Sequence, residues 1–139
     1  MALIRIEDGI FYLLDNNAPV TALVASRIYP LTIPQNPTLP ALTYQIITPA
    51  TLIAHDGLTG TGKSRYQITA FDTDYDVIID LMNKVRVCMA GYKGTLGAAP
   101  DTVDVYAMIP MDTGYGSYEP VTKRFMRALD FMIWHEENV

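Results

Sequence analysis

The chain is predicted to fold as an α+β domain: a small mixed or antiparallel sheet containing one long β-hairpin, with two main helices packed on one face. Three observations carry this expectation. Apolar residues recur at helical spacing over residues 3–14 and again from Ile78 to Met89. Elsewhere Tyr66, Ile68 and Ala70 alternate with Arg65, Gln67 and Thr69, the period of a half-buried strand. The chain has 139 residues, 50% of them apolar and 18% charged, which suits one folded domain spanning residues 1–139.

The first helix places Leu3, Ile6, Ile10, Leu13 and Leu14 along one side, and Asp15-Asn16-Asn17 ends it. Pro19 suits the first turn of a short helix reaching Ser26. Arg27-Ile28-Tyr29 follows as a short strand. Pro30, Pro34, Pro37 and Pro40 then recur too often for a helix or a central strand. They make a rigid extended segment, either an arm laid on a neighbour or a plain connector. The hairpin is expected from about Ala41 to Asp72, with Pro49 at a bulge or an edge.

The second main helix has the clearest pattern, with Ile78, Leu81, Met82, Val85, Cys88 and Met89 on one stripe. Thr73 and Asp76 form a near-capping box at its start, and Gly91 supplies the stop. Val103, Val105, Ala107 and Ile109 alternate as another strand, ended by Pro110. Residues 111–120 carry two glycines and two tyrosines and are expected to be a loop. The last strand spans roughly Val121 to His135. Its two faces are both apolar: Phe125, Leu129, Phe131 and Ile133 on one, Met126, Ala128, Met132 and Trp134 on the other. A sheet with helices on one side only shows polar residues on its second face. The second face here is covered either by another copy of the chain or from within the monomer.

Gly57 to Ser64, GLTGTGKS, matches the phosphate-binding pattern G-x-x-x-x-G-K-[ST] letter for letter. A phosphate loop needs a helix directly after its Lys-Ser, because the phosphates sit on that helix's free N–H groups. The alternating residues after Ser64 predict a strand instead. The glycines and Asp56 are therefore assigned to the tip of the hairpin.

No other constellation carries chemistry. Asp72, Asp74 and Asp76 open like a calcium loop, but Val77 and Asn83 stand where glycine and glutamate are needed. His55 and His135 are the only histidines, and neither has a Cys or His at metal spacing. His55-Asp56 with Ser64, Thr59 or Thr61 lacks any sign of an oxyanion hole. No catalytic residue, metal or cofactor is assigned. Cys88 is the single cysteine, so no intrachain disulfide forms and a reducing cytoplasm is the expected setting. The segment MALIRIEDGIFYLL lacks a signal-peptide layout, and no apolar run reaches the ~18 residues of a membrane span. A formal charge of −5 argues against a nucleic-acid binder. It fits ordinary solubility first, and also a surface that lets a polyanion pass without sticking.

Arg27-Ile28-Tyr29-Pro30 after a short helix, followed by Leu39-Pro40-Ala41-Leu42-Thr43-Tyr44-Gln45, resembles the opening motifs of a tail completion family of long-tailed bacteriophages. Asp56-Gly57, the strand Arg65-Tyr66-Gln67-Ile68 and the helix from Asp74-Tyr75 continue the likeness over nearly the whole chain. The resemblance implies a tail terminator, or tail-to-head joining protein: a small α+β subunit that closes into a ring, commonly a hexamer, on the head-proximal end of the tail tube. Its implied partners are further copies of itself, the tube protein and the neck or head-completion proteins. DNA is implied to cross the ring without specific binding, past acidic side chains on the channel wall, and no membrane is involved. The implied place is the virion, reached from the host cytoplasm. Residues assigned to contacts on this basis are Arg27, Tyr29, Pro34, Asp56, Lys63, Arg65, Tyr115, Tyr118 and Trp134. A neck connector, and a nucleotide-binding protein using Gly57 to Ser64, are the alternatives.

Overall fold

The structure, a computed structural model, describes residues 5–48, 51–54, 57–111 and 115–136. Three helices pack on one face of a curled eight-stranded mixed sheet. The elements are α1 (Ile6–Asp15), α2 (Ala18–Val24), β1 (Ile28–Pro30), β2 (Ala41–Thr48), β3 (Thr51–Ala54), β4 (Gly57–Asp72), α3 (Tyr75–Met89), β5 (Gly94–Leu96), β6 (Val103–Pro110), β7 (Tyr115–Glu119) and β8 (Arg124–Glu136). The sheet order is β1-β2-β4-β8-β6-β5, with β3 added to β4 and β7 added to β8. Among the described residues β1 and β2 pair in parallel and the other pairings are antiparallel.

Over the described residues both predicted apolar stripes face the sheet; Leu3 lies outside them, and α1 is described from Ile6. Ile6, Ile10 and Leu14 of α1 are buried, as are Ile78, Leu81, Met82, Val85 and Met89 of α3. They meet Tyr66, Ile68 and Ala70 of β4 and Leu129, Phe131 and Ile133 of β8. Each large apolar side chain removed from water in this way contributes roughly 1.5–3 kcal/mol. Gly9 lets α1 approach closely: a Cβ there would lie 2.8 Å from Val103 Cγ1. Capping differs in detail from expectation. Asp74, not Thr73, caps α3, its side chain accepting from the Asp76 amide at 2.9 Å. Gly91 ends the helix with φ +76°, a conformation that favours glycine.

Four sequence expectations need correction. Gly57 to Ser64 is not a hairpin tip: it is the first half of the 16-residue strand β4. Asp56 and His55 lie outside the described residues, as does Pro49. Gly60, at φ +77°, sits where the β3–β4 register shifts between Thr51 and Ile53, so it serves a bulge. Residues 111–120 are not all loop, because β7 pairs with β8 from Tyr115↔Ala128 to Glu119↔Arg124. The last strand accordingly begins at Arg124, after a turn in which Lys123 takes φ +56°. Finally, β6 does not alternate throughout. A register shift between Val105 and Ala107 turns Met108 into the core and leaves Ile109 50% exposed.

Candidate assembly surfaces

The face of the sheet away from the helices carries Lys63, Arg65, Gln67, Thr69 and Phe71 from β4. They stand opposite Trp134, Met132, Asp130, Ala128 and Met126 of β8. This follows from the period of two, since Tyr66, Ile68, Leu129 and Phe131 point the other way into the core. At its centre the Asp130 carboxylate is buried. Arg65 donates to it from Nε at 2.9 Å and also from Nη2, and Gln67 Nε2 donates at 3.0 Å. Three charge-assisted donors offset the cost of burying that carboxylate. Lys63 Nζ lies 5.3 Å from the centre of the Trp134 ring, a cation–π contact. Around this network the surface is apolar or neutral, and a trough on it is lined by Leu31, Thr43, Gln45, Phe71, Ser117 and Met126.

Lys63, Arg65 and Trp134 are therefore brought together on one surface. The other assigned residues lie elsewhere. Arg27 turns inward, with Nε donating to the Pro40 carbonyl at 3.0 Å and Nη2 to that of Leu23 at 3.1 Å; it ties the two ends of the proline-rich segment. Tyr29 sits on β1 beside Thr43, and Pro34 is exposed in the connection to β2. The Tyr115 backbone opens β7. Tyr118, 49% exposed, points to the helix side and packs on Phe125 with ring centres 4.8 Å apart. Tyr75 at the start of α3 completes that cluster, 5.5 Å from Phe125.

One pair was not foreseen. Ser64 and His135, both buried, are joined by a 3.0 Å bond between Oγ and Nε2 across β4 and β8. His135 Nδ1 lies 2.9 Å from the Glu136 carbonyl oxygen. That carbonyl can only accept, so Nδ1 carries a proton; with the ring neutral, Nε2 then accepts from the Ser64 hydroxyl. The tautomer is that of a base beside a nucleophile. The pair ties β4 to β8 from a buried position, and among the described residues no carboxylate is seen bonded to the ring. No local signal could have revealed it, because the partners are 71 residues apart.

A nucleotide loop is excluded by geometry: β4 continues as strand through Lys63 and Ser64 to Asp72, and no helix begins there. Asp72 and Asp74 accept amide hydrogens at the start of α3, the work expected of acids at a helix N-terminus. Among the described residues no three His, Cys, Asp or Glu side chains are grouped to hold a metal. Among them, too, no helix is long and apolar enough to cross a membrane. Burial raises the Cys88 thiol to about 11, which disfavours the thiolate.

Among the described residues, part of each margin of the sheet is left unpaired. On one side β1 pairs only Leu42 to Tyr44 of β2, leaving Gln45 to Thr48 and then β3 as an edge. Ile46 and Ile47 there are 39% and 41% exposed. On the other side β7 pairs β8 alone. β2 and β3 run antiparallel to β4, whereas β7, antiparallel to β8, runs parallel to β4. The two edges therefore point in opposite directions.

No protein-family model matches the chain, and no curated protein matches it by sequence. Among solved structures it is similar to a chain in the virion of a native gene transfer agent particle. The TM-score is 0.70, with 12% identity over 94% of this chain and 94% of that one. At that identity the likeness establishes a shared fold.

Proposed function

We propose that this chain is a structural subunit of a virion or tail-derived particle, acting without chemistry as a tail terminator. All 139 residues serve as one domain. Copies close into a ring, a hexamer in the form we favour, on the head-proximal end of the tail tube; the ring stops tube growth and presents a face to the neck proteins. The observation that carries this reading is the pair of open sheet edges with opposite sense. When copies are related by rotation alone, β7 of one lies antiparallel to β2 and β3 of the next, the pairing that strands favour. Such a head-to-tail contact closes only if the rotation divides the circle. The fold shared with a chain of a gene transfer agent virion supports the same reading.

The apolar reverse of β8 adds to it. Met126, Met132 and Trp134 are only partly covered within the chain, so neighbours or the tube complete their burial. Within this face Arg65 is matched by Asp130, so covering it buries little uncompensated charge there. Tail length measured without heads tests the role. Loss of a terminator gives tubes of uncontrolled length, and adding the protein back restores a fixed length. Tubes of normal length in its absence would instead point to a neck connector.

A further inference from the structure

A groove on the helix side runs between α3 and the β7–β8 hairpin. Tyr75, Tyr118 and Phe125 pack together where α3 begins beside that hairpin. Ile79, Met82 and Leu129, with Asn83, Arg86 and Arg127, line a cleft of about 330 Å³. Arg86 is exposed and donates to Asn83 Oδ1 at 2.9 Å, so its guanidinium is held over the cleft. Arg127 lies across Gly116, whose missing side chain makes room for it: Nη1 stands 3.9 Å from where a Cβ would be. Two arginines share one cleft in a chain of net charge −5.

The opposite flank of the helix layer has the opposite sign. The first turn of α1 carries Glu7 and Asp8, both partly exposed, with Arg5 as their only basic neighbour in the described ion pairs. That flank faces β2: Phe11 of α1 packs on Tyr44 with ring centres 6.4 Å apart. After burial, Glu7 is the next cause raising the phenol pKa values of Tyr44 and Tyr66. Gly9, on the other flank of α1, meets Leu96 and Val103 instead. Acids thus sit above one open sheet edge and arginines above the other, both on the helix side.

We propose that the groove between α3 and the β7–β8 hairpin seats the acidic first turn of α1 from the next copy, with Glu7 and Asp8 against Arg86 and Arg127. The inference rests on the ring described above and adds its second contact. Antiparallel pairing of β7 with β2 and β3 brings these two flanks together on the same side of the joined sheet. Complementary charge then selects the register and direction of the pairing, because sliding or inverting a copy sets like charges together.

Charge exchange tests it. Arg86→Glu alone, and Glu7→Lys with Asp8→Lys, are each expected to weaken association about tenfold at low salt, and the combined variant to recover most of the loss. All these positions are partly or fully exposed, and Arg86→Lys serves as the control that keeps the charge. Zero-length amide coupling of the amine introduced by Arg86→Lys should link it to Glu7 or Asp8 of a different copy, read by mass spectrometry of mixed isotopic protein. Rings unaffected by either reversal, with no such link, would overturn the groove contact and leave the ring intact as a reading. A wild-type chain that stays monomeric up to its solubility limit would overturn both.

Discussion

β8 presents two apolar faces that end in different surroundings. Leu129, Phe131 and Ile133 are fully buried under the helices. Met126, Met132 and Trp134, of similar size and hydropathy, are covered only in part. The difference leaves the second face as the one that sister copies cover in the ring we propose. A monomeric protein would place polar residues on the second face. This chain places there a buried carboxylate held by Arg65 and Gln67, set within apolar side chains. Such a group adds little to stability but fixes one arrangement of a surface that could otherwise slide.

The contrast is sharpest at neighbouring positions. Phe131→Ala is expected to destabilise the isolated chain by about 3–5 kcal/mol through lost transfer energy and the cavity left behind. Met132→Ala, one residue along, should cost less, about 1–2 kcal/mol in the same measurement, because its side chain is already partly exposed. Chemical denaturation of the two variants checks the difference, and assembly should show the reverse sensitivity at Met132. Equal losses of stability would mean that the second face is packed within the protomer.

Next in size is the polar centre of that face. Arg65→Leu removes two of the three donors to Asp130 and should cost about 2–3 kcal/mol, reduced from the fully buried case by the exposure of Arg65. Replacing Asp130 by Asn together with Arg65→Leu should recover part of this, since the uncompensated charge is gone. Ser64→Ala leaves His135 Nε2 buried without its donor, at about 1–2 kcal/mol. Melting curves of these variants give the order directly.

The smallest effect is at high pH. Burial raises the Cys88 thiol from 9.0 to about 11, and Tyr44 and Tyr66 are raised as well. A proton held more tightly in the folded state stabilises fully below the unfolded pKa and is lost above it. Stability should therefore decline between about pH 9 and 11, as the unfolded chain releases protons that the folded chain keeps. Alkylation of Cys88 should be slow at neutral pH and accelerate toward pH 11. Rapid labelling at pH 7 would contradict the burial.

Much of the fold is legible in the sequence because its signals are local. The stripes of α1 and α3 appear where their spacing places them, and Tyr66 to Ala70 alternates as a strand. What was hidden depends on partners far along the chain. Gly57 to Ser64 looks like a turn because three glycines favour turns. It becomes strand because Thr61 to Ser64 pairs with residues 133–136 of β8. Tyr115 to Glu119 has loop composition and is held extended only by β8. The shift near Tyr106 moves Met108 inward, which no period-two count anticipates. Of the contact residues, Lys63, Arg65 and Trp134 share a surface because of that same register. Arg27 binds backbone carbonyls of its own chain, which residue type alone could not reveal.

The most direct measurement is the mass and shape of the purified protein in solution, by native mass spectrometry with negative-stain imaging. A closed ring of identical copies, lost when a proline is placed at Ser117 on the free edge of β7, is the expected result. A solitary protomer that keeps Met132 and Trp134 shielded from solvent labelling would contradict the central claim that sister copies complete this sheet.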